Sequence, residues 1–279
     1  MRHVRMALFA VLVLAFAGCP GEIWLTTRLH VLPAEQGAFT DTGEPGIYTL
    51  TLNGAADTVT WFTDRPRRET GIESLEDFAT NTWLQVLAGE SPTGAIAYQD
   101  ADGYWSMAPF KALGLDAGPD ANSTIWQLEM KGAPDSGTLR DVHLYLDDRG
   151  ADETGEGDSY VFLHGAARIA FEPQAKTNAY TLRLSYPYPT VSVMETNSNF
   201  SVYQLPVAGY VETVWSGDFA ANPPNAAIQV EGLDGATHVV IAVLSNPVYD
   251  PETGELTYTA ELLSEDPDVI AGPGVMFID

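Results

Sequence analysis

From Tyr48 to Leu52 apolar and polar residues alternate, the period of a strand with one face in a core, and Thr58–Thr63 reads as a second strand. Between Ser74 and Val86 the period lengthens. Leu75, Phe78, Ala79, Thr82, Trp83 and Val86 fall on one helical face, and Ser74 with Asp77 predicts a capping box at its start. A proline-containing loop follows at 90–93, then two β segments at 94–99 and 104–113 around Asp102-Gly103, then an alternating strand, Thr124–Met130. The same succession returns further along. Tyr180–Leu184 and Thr190-Val191 precede a helical face of Val207, Tyr210, Val211, Val214 and Trp215, which opens at Pro206. Segments at 226–231 and 237–245 and a strand at Leu256–Leu263 complete it. The unbroken apolar run Val239–Leu244 predicts a central strand buried on both faces. The order is β-β-α-β-β-β twice over. The fold class expected is mainly β, with two tandem related antiparallel sandwich-like units, each with one helix.

The two successions are in phase at an offset of 132 residues. Tyr48-Thr49-Leu50 and Leu52 recur as Tyr180-Thr181-Leu182 and Leu184, Trp83 as Trp215, and Ala95-Ile96 as Ala227-Ile228. Pro92, Asp102-Gly103, Pro119 and Glu129 recur as Pro224, Asp234-Gly235, Pro251 and Glu261. No insertion breaks the phase, which marks a duplicated domain. The repeat units span 47–132 and 179–264, joined by a connecting segment at 133–178 with strand character at Val142–Leu146 and Tyr160–Leu163. Inside it, Asp147–Asp158 is acidic and glycine-rich and is expected to be an exposed loop. Residues 19–46 form a lead-in with strands near 23–25 and 29–32 and a turn region at 37–46. The tail, 265–279, is expected to be ordered around Val275–Ile278.

Residues 1–18 have the plan of a signal peptide: Arg2 and Arg5 precede an apolar stretch, Ala7–Ala17, too short to span a bilayer as a helix. It ends in Phe16-Ala17-Gly18-Cys19, which resembles the lipobox of bacterial lipoproteins, with Phe16 where that motif usually carries Leu. The resemblance implies cleavage before Cys19, lipidation of its thiol, export across the inner membrane and anchoring at the outer membrane or cell surface. Pro20 in place of an aspartate after the cysteine favours that destination. Cys19 is the only cysteine, so no disulfide supports the fold. The chain carries 13 Lys and Arg against 38 Asp and Glu, a formal charge of −25. With no basic stripe to offset it, that charge excludes nucleic acid and leaves the lipid on Cys19 as the route to a membrane.

Catalytic signatures are sparse. There is no Gly-x-Ser-x-Gly elbow, no His-Glu-x-x-His and no phosphate-binding glycine-rich loop, and the histidines do not pair at metal-ligand spacing. No cofactor and no metal are expected. Asp100-Ala101-Asp102-Gly103 and the acidic loop offer hard oxygen ligands, but without the spacing of a dedicated calcium loop. The sharpest local motif is Trp61-Phe62-Thr63-Asp64-Arg65-Pro66-Arg67-Arg68. With Phe78, Trp83, Pro223-Pro224-Asn225-Ala226 and Asn246-Pro247-Val248-Tyr249-Asp250, it resembles a group of bacterial secreted proteins. Their units carry an aromatic-[Ser/Thr]-Asp-Arg-Pro motif, a helix with Phe and Trp, a Pro-Asn-Ala loop and an Asn-Pro-x-Tyr-Asp turn. That resemblance implies architecture and no reaction. Asp64, Arg65, Arg67 and Arg68 form a candidate anion-binding spot in an acidic protein, with Arg65 held beside a proline. The second copy has Thr196, Asn197, Asn199 and Phe200 there, so these charges are not required by the fold. The same residues could instead tie the helix to the sheet. The leading expectation is a non-enzymatic envelope lipoprotein with a binding or structural role and an envelope partner or ligand still to be identified. The alternatives are an enzyme using Asp64 and Arg65, and a calcium-dependent adhesion module.

Overall fold

The structure, a computed structural model, describes residues 28–63, 68–87, 91–100, 105–120, 122–132, 137–147, 160–175, 178–195, 202–232, 235–264 and 271–279. Cys19, the segment at 23–25, residues 64–67, Asp102-Gly103 and the acidic stretch 148–158 lie outside them.

The first sheet is organised by β1 (Arg28–Asp41), fourteen residues long. Its first half pairs antiparallel with β3 (Thr58–Thr63) and its second half with β2 (Ile47–Ala55), while β8 (Thr138–Asp147) runs along its other edge. From β2 the sheet continues through β7 (Ser123–Glu129), β6 (Trp105–Ala117) and β5 (Thr93–Gln99) to β8. The β1–β2 pairing therefore closes six strands into an antiparallel barrel, and β3 with the edge strand β4 (Thr70–Ser74) extends from it as a flap. Closure removes the open edges that a flat sheet would leave.

Between flap and barrel lies the helix. Ser74 Oγ accepts from the Asp77 amide at 3.0 Å, the cap the sequence predicts. The one-turn α1 (Leu75–Asp77) then widens into a π-helical stretch, Phe78–Leu87, rare at this length. It lays Phe78 and Trp83 over the barrel core, where Trp83 stands edge-on to Trp126 with ring centroids 5.4 Å apart.

The second unit repeats this element by element. β9 (Tyr160–Pro173), β10 (Ala179–Pro187), β11 (Thr190–Glu195) and β12 (Val202–Pro206) each begin 132 residues after their counterparts. So do α2 (Val207–Gly209), its π-helical continuation Tyr210–Phe219, β13 (Asn225–Glu231) and β14 (Thr237–Tyr249). β15 (Leu256–Leu262) and β16 (Ala271–Ile278) close the second barrel through β9 and β10. The mainly β fold with two tandem antiparallel units, each with one helix, is what the structure shows. The sheets are wider than the repeat boundaries 47–132 and 179–264. Each takes in a long first strand, β1 or β9, and a last strand, β8 or β16, which the sequence marks only in part, at 29–32, Tyr160–Leu163, Val142–Leu146 and Val275–Ile278. The turn expected at 37–46 starts later, because β1 runs to Asp41. The Asn246-Pro247 turn is instead a bulge inside β14, with Asn246 in left-handed backbone at φ 50° and the register broken between Ser245 and Val248.

Each barrel is filled by its own side chains, Leu50, Leu52, Phe110, Trp126 and Leu128 in the first and Leu182, Leu184, Ile228, Tyr258 and Met276 in the second. The outer faces of β1, β3, β5 and β8 then pack against those of β9, β11, β13 and β16. Leu29, Val31, Phe62, Ala95 and Tyr145 meet Val161, Leu163, Met194, Ala227 and Phe277 in a third buried cluster. These five pairs are the same positions in the two units, so the seam has the self-complementary pattern of a twofold dimer fused into one chain. On the axis the Tyr145 and Phe277 rings stack at 5.0 Å with 4° between their planes. Val240–Leu244 is buried along its whole length because even positions fill the second barrel and Ile241 faces the seam.

Two histidines are buried as neutral rings. Burial pushes the His143 imidazole down from 6.5 to about 3 and that of His164 to about 4, the latter opposed by its hydrogen bond to the Tyr188 carbonyl. The unfolded chain takes up protons on these rings as the pH falls through 6.5, while the folded protein does not until about 3 and 4. Their contribution is intact above pH 6.5 and is lost on acidification toward those values, at about 1.4 kcal/mol per pH unit for each ring. A His143→Val, His164→Leu variant, carrying the residues found at the equivalent positions Val275 and Leu32, should show a shallower fall of Tm between pH 6.5 and 4. An unchanged slope in thermal melts would contradict this account.

Candidate functional site

The two units share a backbone plan, so positions at which one is polar and the other apolar stand out. At the mouth of the first barrel, under the flap, β1 brings Arg28 and His30 to one face. Trp61 of β3 lies directly across from His30, and Glu73 of β4 and Thr82 of the π-helical stretch complete the group. In the second unit the same positions hold Tyr160, Phe162, Val193, Leu205 and Val214, all of them in or against its apolar core.

His30 is 1% exposed, and neither of its ring nitrogens has a hydrogen-bond partner among the described residues. Its Nδ1 lies 3.6 Å from Glu73 Oε1, an ion-pair distance too long for a hydrogen bond, and its ring packs 5.4 Å from Phe78. Thr82 Oγ1 donates to Glu73 Oε2 at 2.7 Å. Burial raises the Glu73 carboxyl, but the His30 imidazole, the Thr82 hydroxyl and the charge of Arg28 outweigh it and hold the group below its ordinary value. Glu73 is therefore an anion at neutral pH, flanked by a histidine with unused hydrogen-bonding capacity. The Arg28 guanidinium lies over the Trp61 ring, 4.1 Å from its centre. That ring needs Gly71 beneath it, because a Cβ there would sit 2.4 Å from the indole. The second unit has Tyr203 at that place and Val193 in place of the tryptophan.

Of the residues singled out by sequence, Asp64, Arg65 and Arg67 lie outside the described residues. Thr63, which precedes them at the end of β3, pairs with Arg28 in the β1–β3 register. Arg68 is at the seam: its Nη2 donates to the Pro223 carbonyl of the second unit at 3.5 Å. Beside it, buried Asn225 donates from Nδ2 to the Thr63 carbonyl at 2.8 Å. The end of β3 at Thr63 is thus held by both units. Asn225→Ala should cost about 1–3 kcal/mol, since it leaves the buried Thr63 carbonyl without this donor. Thermal or denaturant melts check it, and a loss below a few tenths would show that water replaces the amide.

His30, Glu73 and Thr82 were not legible as a group. They come from three elements, and each alone is ordinary. The signal that could have found them is the repeat itself, in which His/Phe, Glu/Leu and Thr/Val differ at equivalent positions. Among the described residues no group of three or more His, Cys, Asp and Glu is placed to hold a metal ion. No described helix is long and apolar enough to cross a membrane.

Fold and site together define a class: tandem closed β-barrels joined along a pseudo-twofold seam, with His30, Glu73 and Thr82 in the first barrel at positions that are apolar in the second. Comparison with protein-family models, with curated proteins and with solved structures finds no match for this chain.

Proposed function

We propose that the protein is a lipid-anchored, non-enzymatic component of the cell envelope in which the first unit binds a ligand and the second supports it. The observation behind this reading is the replacement of Arg28, His30, Trp61, Glu73 and Thr82 by Tyr160, Phe162, Val193, Leu205 and Val214 on the same backbone. A buried polar group costs stability unless it is satisfied, and the second unit demonstrates that the fold stands without these. Polar residues kept where the fold does not need them point to a ligand. Arg65, Arg67 and Arg68 follow Thr63, the partner of Arg28, in the sequence, and are the proposed cationic contacts for an anionic group of that ligand. The lipobox at Cys19, nine residues before the first described strand, supplies the tether.

Transplanting the second unit's residues tests the binding role. His30→Phe, Glu73→Leu, Thr82→Val should fold with stability unchanged or raised by about 1–4 kcal/mol, as replacements of buried ionic groups by apolar ones often do. The same variant should lose cross-linking to the envelope component that the wild type captures in intact cells. A variant that melts far below the wild type would make the cluster structural, and one that keeps the cross-link would remove it from the binding surface. The anchor has a separate test. Cys19→Ser should shift the protein from the membrane to the soluble fraction and abolish labelling with a fatty-acid analogue; undiminished membrane association would end the lipoprotein reading.

A further inference from the structure

A concavity with a volume of about 180 Å³ lies at the seam, away from the polar cluster. Trp105 and Met107 reach it from β6 of the first unit. Leu163, Tyr188, Thr190, Ser192 and Gln204 line it from the second. Drug-sized pockets run to roughly 300–1,000 Å³, so this one has room for a single ring. Its lining has an aromatic and apolar floor and a rim of hydroxyls and an amide. In a chain with 38 acidic residues, none of the lining residues is charged.

The aromatic pair is built rather than incidental. Gly165 lies between the two rings: a Cβ there would sit 2.7 Å from the Tyr188 ring and 3.3 Å from the Trp105 indole. Tyr188 Oη accepts the Trp105 backbone N–H at 2.9 Å, and the Tyr188 amide donates to the Gly165 carbonyl at 3.0 Å. On the rim Thr190 donates its hydroxyl to Gln204 Oε1 at 3.1 Å, which fixes the amide. The pseudo-twofold relates this place to one that would be lined by Thr237, Val239, Val31, Ala56, Thr60 and Ile72. Tryptophan, tyrosine and glutamine are all missing from that set. The groove therefore belongs to one side of the seam and is not a consequence of joining two barrels.

We propose that this groove binds a neutral saccharide, one pyranose ring resting its C–H face against Trp105 and sharing hydroxyl hydrogen bonds with Tyr188, Thr190, Ser192 and Gln204. An aromatic face suits the apolar side of a sugar ring, and hydroxyls and amides both donate and accept as sugar hydroxyls do. The absence of charge in the lining disfavours anionic and cationic ligands. The proposal is independent of the cluster at the first barrel.

The test is titration of the full soluble domain with tetramers of β-1,4-linked N-acetylglucosamine, cellotetraose and maltotetraose, followed by calorimetry and tryptophan fluorescence. At least one should bind in the micromolar to millimolar range, with an affinity insensitive to added salt. Gln204→Ala and Ser192→Trp, at exposed and half-buried positions, should keep the wild-type Tm and weaken that binding at least tenfold. His30→Phe should leave it unchanged. Failure of all three saccharides at about 10 mM, or binding that survives the Ser192→Trp plug, would overturn the proposal. So would displacement of the bound sugar by an extended peptide at lower concentration.

Discussion

A Tyr145→Asp, Phe277→Asp double variant should come apart into two barrels still joined by the chain. The two rings stack on the pseudo-twofold axis at the centre of the seam, and neither belongs to a barrel interior. Removing a buried aromatic ring costs about 3–5 kcal/mol. Here two are lost, and two carboxylates are set against each other in an apolar layer, where an unpaired charge is poorly tolerated. Small-angle scattering should show a larger radius of gyration, and a protease should cut between the units. The near-ultraviolet dichroism of Trp83, Trp126 and Trp215 should persist, because these rings pack inside the barrels. A variant as compact and heat-stable as the wild type would show that the seam does not hold the units together. Loss of all tertiary signal would show that the barrels cannot stand alone.

Trp83→Ala and Trp215→Ala should each cost about 3–5 kcal/mol, the usual penalty for emptying a buried aromatic site. The two tryptophans are 2% and 5% exposed and stand at the same position of the two helices. Trp215 touches more rings, Tyr210, Phe219 and Tyr258, than Trp83, whose ring contact is Trp126. The larger loss is therefore expected in the second unit, where more aromatic surface is left facing a void. Denaturant melts followed by fluorescence check both, and a loss under about 1 kcal/mol in either would show that its barrel collapses onto the space.

Periodicity carried much of the fold. Alternation at Tyr48–Leu52 and the wider spacing from Leu75 to Val86 identify strand and helix because burial on one face imposes a period of two or of about 3.6. The copy at an offset of 132 then turned weak local signals into a shared plan. The flap strands β4 and β12 leave no mark in the sequence because they are exposed edge strands, with Ile72 and Tyr203 open to solvent, and so carry no core pattern. The last strands β8 and β16 were legible only as apolar runs. Nothing local says that β8 must reach across the chain to β1 and β5.

The site divides in the same way. Arg68 could be chosen from sequence as part of a basic cluster, but its partner, the Pro223 carbonyl, is 155 residues away and belongs to the other unit. His30, Glu73 and Thr82 meet only because β1, the flap and the helix converge at one barrel mouth. What the sequence determined by itself is the inventory and the phase: two copies of one β-rich unit, a capped helix in the first, an acidic surface and a lone cysteine near the N-terminus. These follow from residue type and spacing, which act over a few positions. Only the tertiary structure decided that each sheet closes on itself, that equivalent faces of the two units meet across a twofold, and that His30, Glu73 and Thr82 come together at one barrel mouth. Those outcomes depend on contacts between residues far apart in the chain, and hydrophobic burial, being non-directional, does not write them into any local pattern.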